Sequence, residues 1–397
     1  MKMPFKVRAP SFDAQAILKT IRRALSSAGL DTTAGPMRGV TETLQRALSS
    51  AGMPATDGVA VGRDKVVDVE ARVVDVRPPE ASEQARQPSM DEPQVGRFDT
   101  CKYANTAGTR SYKLYVPVRI GASPPALILM LHGCTQSADD FAAGTRMNRF
   151  ADEHGFLVVY PEQASSANPS KCWNWFNGPD QLRDSGEPSL IAGIVRDVAA
   201  RHGVDTRRIF VAGLSAGAAM AVILGETYPE LFAGVGAHSG LPYRSAHDIP
   251  SAMAAMKGGR SGIAGLKAAP VSEAATRRPI GQAVPTIVFH GDQDHTVQQA
   301  NGIEIVQQAK HAHAGHEPDR SLRDSTERGT SPGGRSFSRT VHVDPAGRPC
   351  VESWTVHGAG HAWAGGSVSG SYTDPNGPDA SAEMVRFFRS LPRAGSA

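Results

Sequence analysis

Long hydrophobic runs are the first feature that the 397-residue sequence lacks. A helix needs about 18 or more consecutive apolar residues to cross a bilayer, and no such run occurs, so a membrane-spanning segment is not expected. The basic segment over residues 1–25 also lacks the continuous apolar core and the small-residue cleavage site of a signal peptide. The residues themselves therefore give no sign of export.

An excess of charge of one sign is also missing. The 42 Lys and Arg residues nearly balance the 39 Asp and Glu residues, which leaves a formal net charge of +3. So small an excess gives no electrostatic reason to expect nucleic acid or an anionic membrane as a partner. The hydrophobic content of 40% and the charged content of 20% are typical of a globular protein with a substantial core.

Cysteine is scarce and widely spaced. The chain has four cysteines, which are Cys101, Cys134, Cys172 and Cys350. They lie too far apart in sequence for a CxxC metal site or redox motif. Because the compartment is unknown, the composition leaves two disulfides and four ordinary thiols equally open.

Aromatic residues are nearly missing from the first quarter of the chain. Only two phenylalanines precede residue 98, whereas all four tryptophans and all seven tyrosines follow it. Residues 78–97 are rich in Pro, Glu, Gln and Ser, which is typical of a linker that buries little apolar surface. The composition therefore predicts an N-terminal extension over 1–77, this linker, and a main domain over 98–392.

The extension contains a short duplication. The segment IRRALSSAG over 21–29 returns as LQRALSSAG over 44–52. Ser11 and Thr41 are candidate N-caps, and apolar residues at helical spacing follow each of them. Two copies are too few for a solenoid, so we interpret the extension as a helical hairpin. The alternative is an amphipathic arm that binds a surface.

Apolar runs alternate with helical segments in the main domain. Five runs have the composition of buried strands, and they cover 126–133, 156–162, 208–213, 234–240 and 285–292. Helices are predicted over 189–202 and 216–227. This alternation indicates an α/β fold, with a mostly parallel sheet and helices on both of its faces. Such sheets bind ligands at the carboxyl ends of their strands.

Two parts of the main domain depart from this alternation. Residues 244–280 are small and basic, and we expect them to form a cap or a side excursion. Residues 310–340 have the composition of a loop. Their histidines, His311, His313 and His316, are interpreted as part of a solvated loop, so no metal is expected.

The chemistry centres on the segment FVAGLSAGAAM, residues 210–220. Here Gly213 to Gly217 fit the pattern G-x-S-x-G between a predicted strand and a predicted helix. That context is typical of a nucleophile elbow, in which a sharp turn exposes the serine hydroxyl. Ser215 is therefore the candidate nucleophile. A serine hydroxyl needs a base to take its proton, and in this architecture an acid and then a histidine follow it in the chain.

Two acids and two histidines compete for these roles. Asp292 lies at the end of the strand over 285–292, and Asp294 lies two residues further into the loop. Asp294 is preferred because the deeper position can reach an imidazole, while Asp292 is expected to brace the turn. His361 lies on a glycine-rich loop after a predicted strand over 351–356. It is preferred over His357, which directly follows the strand and has less freedom to reach over the sheet.

An oxyanion needs two preorganised N–H donors, and each is worth roughly 3 kcal/mol of barrier. The backbone N–H of Ala216, the residue after the nucleophile, is expected to be one donor. The loop LMLHGCTQ over 129–136 follows an early strand, and it offers the N–H of Cys134 as the second donor.

Several long segments together resemble the polyhydroxybutyrate depolymerase family of esterases. They are LHGCTQSADDFAAGTRMNRFADEHGFLVVYPEQ, CWNWF, GEPSLIAGIVRDV, GLSAGAAM and GAGHAW, and the resemblance covers roughly residues 98–392. It implies an α/β-hydrolase serine esterase without a cofactor, with Ser215, Asp294 and His361 as the triad. It further implies that the substrate is an ester of a short hydroxyacid polymer. Feruloyl and acetylxylan esterases share the same family shape and remain an alternative.

The resemblance also bears on location and partners. The family is largely associated with secretion, which favours an extracellular or periplasmic protein, whereas the missing signal peptide favours a cytoplasmic one. The chain shows no C-terminal substrate-binding domain, so soluble oligomers or an intracellular substrate become more plausible than solid polymer. A function of another class is a granule-binding or partner-binding protein anchored by the N-terminal helices. The oligomeric state is not indicated.

The resemblance leads to hypotheses about tryptophans and disulfides. Trp173 and Trp175 are interpreted either as walls of the substrate groove or as core residues, and Trp363 as a wall of the same site. We hypothesise that Cys172 pairs with Cys134 and fixes the oxyanion loop. A second pair, Cys101 with Cys350, would tie the start of the domain to the strand before His361.

Overall fold

A computed structural model of the chain describes residues 96–258, 283–314 and 321–392. The extension predicted over 1–77 and nearly all of the linker over 78–97 lie outside these residues. Among the described residues, no helix is both long and apolar enough to cross a membrane.

The described residues form twelve strands and seven α-helices. The strands are β1 (Arg97–Asn105), β2 (Gly108–Val116), β3 (Leu127–Leu131), β4 (Leu157–Glu162), β5 (Ile209–Leu214), β6 (Gly234–His238), β7 (Thr286–Gly291), β8 (Arg323–Thr330), β9 (Ser336–Val343), β10 (Pro349–Val356), β11 (Trp363–Ala364) and β12 (Thr373–Asp374). The helices are α1 (Ala138–Thr145), α2 (Met147–His154), α3 (Gly186–His202), α4 (Ala216–Thr227), α5 (Ile249–Met256), α6 (Ala300–Ala314) and α7 (Ala380–Ser390).

Ten strands form one sheet in the order β1-β2-β4-β3-β5-β6-β7-β10-β9-β8. The six central strands are parallel to one another, and they are β4, β3, β5, β6, β7 and β10. The two strands at each end of the sheet, β1 with β2 and β9 with β8, pair in antiparallel fashion with each other and with the neighbouring central strand. The predicted parallel sheet is therefore confirmed. Parallel strands bring the loops that follow β3, β5, β7 and β10 to the same edge of the sheet.

The central strands are buried on both faces, as their unbroken apolar sequences predict. Every residue of β3, β5 and β7 is buried. Successive side chains of a strand point to opposite faces. Leu129 and Val211 accordingly pack into a core beneath α3 and α4, whereas Met130 and Phe210 pack into a second core beneath α7. These two cores fix the sheet edge on which the candidate residues lie.

The prediction of a loop over residues 310–340 is wrong for most of that segment. The end of α6 and the strands β8 and β9 occupy the described part of that segment. β8 is an edge strand with nearly every side chain exposed, so it has no apolar alternation to mark it as a strand. Its polar composition was typical of a loop for that reason. The cap predicted over 244–280 is described only to residue 258, where it contains α5.

The predicted Cys101–Cys350 disulfide is also wrong, because both cysteines are free thiols. Cys101 lies on β1 and Cys350 on β10, and six strands separate β1 from β10 in the sheet. Neighbouring strands lie about 4.8 Å apart, which puts these two strands on the order of 30 Å from each other. Disulfide-bonded Cα atoms lie within about 7 Å.

Candidate active site

Ser215 occupies a sharp turn between β5 and α4 at the carboxyl edge of the sheet. Its backbone has φ 58° and ψ −121°, a combination that non-glycine residues rarely adopt. The Ser215 N–H donates to the carbonyl of His238 at the end of β6, over 2.9 Å, which ties the turn to the neighbouring strand. A strained serine in this position is the geometry of a nucleophile elbow.

The glycines on both sides of Ser215 are required by close backbone contacts. A Cβ atom on Gly217 would lie 2.1 Å from the carbonyl oxygen of Leu131, and one on Gly213 would lie 2.4 Å from the carbonyl carbon of Gly217. Real Cβ atoms do not approach that closely, so any side chain would force β3, β5 or α4 apart. The G-x-S-x-G pattern is thus explained by the packing of the turn.

His361 and Asp294 come together above the same edge. His361 Nδ1 lies 2.7 Å from Asp294 Oδ2, within hydrogen-bond distance. The other carboxylate oxygen of Asp294 accepts the backbone N–H groups of Thr296 and Val297 over 3.0 and 2.9 Å. The Asp294 side chain is fully buried, whereas 12% of the His361 side chain is exposed. With Nδ1 held by the carboxylate, Nε2 is the ring nitrogen left to act as a base.

The surroundings of Asp294 keep it ionised. Burial raises the pKa of its carboxyl group, but the hydrogen bond from His361, the nearby imidazoles and the Val297 N–H outweigh burial, so the net pKa lies below its ordinary value. A permanently ionised acceptor orients the imidazole and stabilises its positive charge when it takes a proton.

The competing pair, Asp292 and His357, forms a separate contact. His357 Nδ1 lies 2.9 Å from Asp292 Oδ2, and Asp292 Oδ1 accepts the N–H of Gly358 over 2.8 Å. Asp292 therefore contacts the loop that carries His361, and it does so through His357 and Gly358. The structure separates the four candidates into two acid–histidine pairs, and only Asp294 with His361 is the predicted one.

The loop after β3 lies against the elbow. A Cβ atom on Gly133 would stand 3.6 Å from Ser215 Cβ. Cys134, the next residue, forms a disulfide with Cys172, as hypothesised. Gly133 and Thr135 donate their N–H groups to Gln136 Oε1 and the Ser170 carbonyl over 2.9 and 2.7 Å. These bonds fix the backbone of the predicted oxyanion loop.

Ala216 carries the other predicted donor. It is the first residue of α4, so its N–H has no acceptor within the helix and lies at the positive end of the helix dipole. Ala216 directly follows Ser215, and Cys134 follows Gly133, which lies against Ser215, so these two residues stay the predicted donors.

Two buried histidines beneath these loops were not identified from the sequence. His132 donates from Nδ1 to the Gly133 carbonyl over 2.7 Å and accepts the N–H of Gln163 at Nε2 over 3.1 Å. His238 accepts the N–H of Ala364 at Nε2 over 2.9 Å. Each arrangement requires a neutral ring. Burial lowers the pKa of both, and that of His238 falls to about 3 with help from the nearby imidazoles.

A third buried histidine, His290, lies behind the acid. Its Nε2 donates to the carbonyl of Val297 over 2.8 Å and lies 3.5 Å from Asp294 Oδ2. Burial lowers its pKa as well, so it too is neutral. Because His290 ends the apolar run of β7, its sequence context indicated a strand residue and gave no sign of this contact.

The three tryptophans predicted to contact substrate are all buried, so the groove-wall interpretation is wrong for them. Trp173 is fully buried and donates its indole N–H to the His132 carbonyl over 3.0 Å. Trp363 is 1% exposed, stacks on His238 and donates to Ser381 Oγ. Trp175, 6% exposed, packs edge-on against Phe176. They support the site from below.

An exposed residue at the rim was missed. Tyr372 is 47% exposed, and its hydroxyl lies 3.1 Å from Thr135 Oγ1, next to Cys134. The loop that carries it belongs to a glycine- and serine-rich stretch that has no regular pattern in the sequence. Tyr372 is thus an amphipathic side chain beside the predicted oxyanion loop.

Comparison with known proteins shows which family the sequence resembles. The family described as esterase PHB depolymerase matches residues 110–340. Poly(3-hydroxyalkanoate) depolymerase C of Paucimonas lemoignei is 34% identical over 284 residues, which are 68% of this chain and 61% of the depolymerase. Feruloyl esterase B of Neurospora crassa is 37% identical over 142 residues, which are 35% of this chain and 47% of that esterase. The chain thus spans less than two thirds of either relative.

Among the solved structures that this chain resembles is acetyl xylan esterase from Aspergillus awamori. It aligns with a TM-score of 0.57 and 19% identity, over 75% of this chain and 100% of that one. The alignment confirms the predicted α/β-hydrolase fold. On this fold Ser215 follows β5, Asp294 follows β7 and His361 follows β10.

Proposed function

The chain belongs to the PHB depolymerase family of esterases, and we propose that it hydrolyses carboxylic esters with Ser215 as nucleophile, His361 as base and Asp294 as orienting acid. The observation that carries the proposal is the partly buried 2.7 Å contact between His361 and Asp294, on the sheet edge that also bears the strained Ser215. Ser215 follows β5, Asp294 follows β7 and His361 follows β10. Nucleophile, acid and histidine thus occur in the chain order of the α/β-hydrolases.

The proposed reaction has two acyl-transfer steps. His361 Nε2 takes the proton of Ser215 as its Oγ attacks the ester carbonyl, and the imidazolium then gives that proton to the leaving alcohol. Water, deprotonated by His361, attacks the acyl-enzyme and releases the acid and the free serine. Asp294 stays ionised throughout and stabilises the imidazolium.

Backbone dipoles stabilise the tetrahedral oxyanion in this mechanism. The N–H groups of Ala216 and Cys134 are the proposed donors, and each contributes roughly 3 kcal/mol to transition-state stabilisation. The disulfide between Cys134 and Cys172 holds the second donor in place before substrate binds. Preorganised donors need no rearrangement when the charge develops.

Poly- or oligo(3-hydroxybutyrate)-type polyesters are the proposed substrates. The support is the alignment with depolymerase C, which covers 68% of this chain, almost twice the share aligned with feruloyl esterase B. A second candidate is a feruloyl or acetyl ester of a plant polysaccharide. It is supported by the higher local identity to feruloyl esterase B, 37%, and by the fold shared with an acetyl xylan esterase.

Product analysis distinguishes these substrates. The wild-type protein and Ser215→Ala are incubated with polyhydroxybutyrate, soluble hydroxybutyrate oligomers, methyl ferulate and acetylated xylan. We expect the wild type to release hydroxybutyrate from the polymer or its oligomers and Ser215→Ala to release none. Release of ferulate or acetate alone would instead establish the second candidate. Undiminished hydrolysis by Ser215→Ala would refute the proposed nucleophile.

A further inference from the structure

The acid loop and the histidine loop contact each other at three successive points. Asp292 contacts His357 and Gly358, Gln293 donates its N–H to the Ala359 carbonyl over 3.0 Å, and Asp294 contacts His361. We propose that Asp292 and His357 are positioning residues. They hold the histidine loop, residues 357–361, in the position from which His361 can reach Ser215. This inference rests on the proposed triad.

The contact at Asp292 has the largest number of hydrogen bonds among the three. Both carboxylate oxygens of Asp292 are used, Oδ2 by His357 Nδ1 over 2.9 Å and Oδ1 by the N–H of Gly358 over 2.8 Å. The Asp292 N–H also donates to the Val356 carbonyl over 3.2 Å. Asp292 therefore joins the end of β7 to the start of the histidine loop. The net pKa of its carboxyl group lies below the ordinary value, because the bonds from His357 and Gly358 outweigh the effect of burial.

The other side of His357 is held by β9. Its Nε2 lies 2.9 Å from Ser338 Oγ, and its backbone N–H donates to the Ser336 carbonyl over 2.9 Å. With Nδ1 directed at Asp292, the opposite ring nitrogen contacts the Ser338 hydroxyl. Arg335 adds a bond to the Gly358 carbonyl over 2.8 Å. The start of the loop is thereby fixed from both sides.

The loop needs such fixing because of its composition. Gly358 and Gly360 flank Ala359, and Gly358 has φ +71°, a conformation that side chains disfavour. Gly291 of β7 lies against this loop, because a Cβ atom on it would stand 2.2 Å from the Ala359 carbonyl oxygen, so the two backbones run in contact. Glycine-rich backbone has high conformational freedom. A base that moves by about 1 Å can lose about 100-fold in rate.

Ser338, His357 and Asp292 are themselves a Ser–His–Asp series, which raises the rival idea of a second nucleophile. Ser338 lies in the middle of β9, paired with Thr355 of β10 on one side and Arg328 of β8 on the other. A regular strand residue has neither the exposed turn nor the adjacent helix N-terminus of an elbow. The geometry therefore favours positioning over catalysis for this series.

Steady-state kinetics with p-nitrophenyl butyrate test the proposal. Asp292→Ala and His357→Ala are each expected to lower kcat about tenfold or more while KM stays within about twofold, because His361 is displaced but the acyl site is not. His357→Asn is expected to restore most of kcat, since its amide nitrogen stands where Nδ1 stands. Asp344→Asn is the matched control, because Asp344 also accepts a backbone N–H and a side-chain N–H, both from Arg348, in the turn between β9 and β10.

Proton NMR supplies a readout that a purely structural role would not move. The Nδ1 proton of His361 lies in a 2.7 Å contact with Asp294, and we expect its resonance to be strongly deshielded. We expect this resonance to shift or broaden in Asp292→Ala and to stay unchanged in Asp344→Asn. If Asp292→Ala does not fold, Asp292→Asn is used. It retains one oxygen for the Gly358 N–H, and a lower kcat is again expected.

Two results would overturn the inference. One is an unchanged kcat and an unchanged His361 resonance in folded Asp292 and His357 variants. The other is residual hydrolysis in Ser215→Ala that disappears in the Ser215→Ala/Ser338→Ala double variant, which would make Ser338 a nucleophile. Failure of the proposed function can be distinguished from both results. It would appear as full esterase activity in Ser215→Ala, whatever the kcat of the Asp292 variants.

Discussion

At the scale of single residues, the hydrogen bonds near the site fix which ring nitrogen of each histidine carries the proton. His132 donates to Gly133 from Nδ1, His238 accepts from Ala364 at Nε2, and His361 contacts Asp294 through Nδ1. In the proposed mechanism only His361 changes its protonation state. The others stay neutral because burial lowers their pKa values.

The tautomer of His361 can be tested with Asp294→Asn. The asparagine oxygen can still accept the N–H groups of Thr296 and Val297, but its NH₂ group would then face His361 Nδ1 and donate to it. The proton moves to Nε2, which can no longer take the Ser215 proton, and we expect kcat to fall about 10³- to 10⁴-fold. Rates on p-nitrophenyl butyrate and circular dichroism measure activity and folding. A loss below about tenfold in a folded variant would exclude Asp294 from this role.

At the scale of elements, the site is built from loops that follow neighbouring strands and are cross-linked to one another. The loop after β3 is joined to residues 170–173 by the Cys134–Cys172 disulfide, the Thr135 N–H and the Trp173 indole. Short loops fixed in this way keep backbone donors in place without contributing a reactive side chain.

Removing the disulfide tests this fixing. The double variant Cys134→Ser/Cys172→Ser frees a segment of 38 residues. The chain-entropy relation gives a loss of about 4 kcal/mol of unfolding free energy for a loop of that size. We expect a lower kcat as well, because the Cys134 N–H becomes mobile. Urea unfolding and kinetics measure both effects, and Cys101→Ser is the control.

A thiol count provides an independent check on the same element. The denatured, unreduced protein should contain two titratable thiols, those of Cys101 and Cys350, and the reduced protein four. Four thiols without reductant, or an active and equally stable double variant, would contradict the role given to the disulfide.

Much of the element order could be predicted from the sequence, for physical reasons. Central strands are apolar throughout, and α4 begins and ends at the residues expected because the elbow fixes its start. Edge strands such as β8 are polar and gave no such pattern. Trp173 was ambiguous because its partner, His132, lies 41 residues away in the chain. The Cys101–Cys350 error arose because chain order does not reveal how many strands separate β1 from β10.

At the scale of the whole molecule, buried ionisable groups couple stability to pH. Folding lowers the pKa values of His132, His238 and His290, so the folded state binds fewer protons than the unfolded chain below about pH 6.5. The contribution of these histidines to the free energy of unfolding is complete above that pH and is lost as the pH falls. For His238 the loss continues down to its folded-state pKa of about 3. Burial and the nearby Asp180 raise the pKa of Glu187 to about 7, and this carboxyl acts in the opposite direction.

The three buried histidines outweigh Glu187, and the less buried His154, His202 and His342, whose pKa values burial also lowers, act in the same direction. We therefore predict that the free energy of unfolding falls on acidification from pH 7 to 5. Each imidazole that stays neutral in the folded state contributes a slope of up to about 1.4 kcal/mol per pH unit. Urea titrations at several pH values measure this slope. Glu187→Gln should make it steeper, since it removes the opposing group. Stability that is constant or rises toward pH 5 in the wild type would show that the three rings protonate without unfolding the chain.

The central claim is that Ser215 forms an acyl-enzyme, and trapping that intermediate tests it most directly. The wild-type protein is mixed with p-nitrophenyl butyrate, quenched in acid within the first turnovers, digested and analysed by mass spectrometry. We expect a butyryl group on the peptide that contains Ser215, and no acylated peptide from Ser215→Ala. A butyryl group on another residue in both proteins, with equal release of p-nitrophenol, would contradict the mechanism.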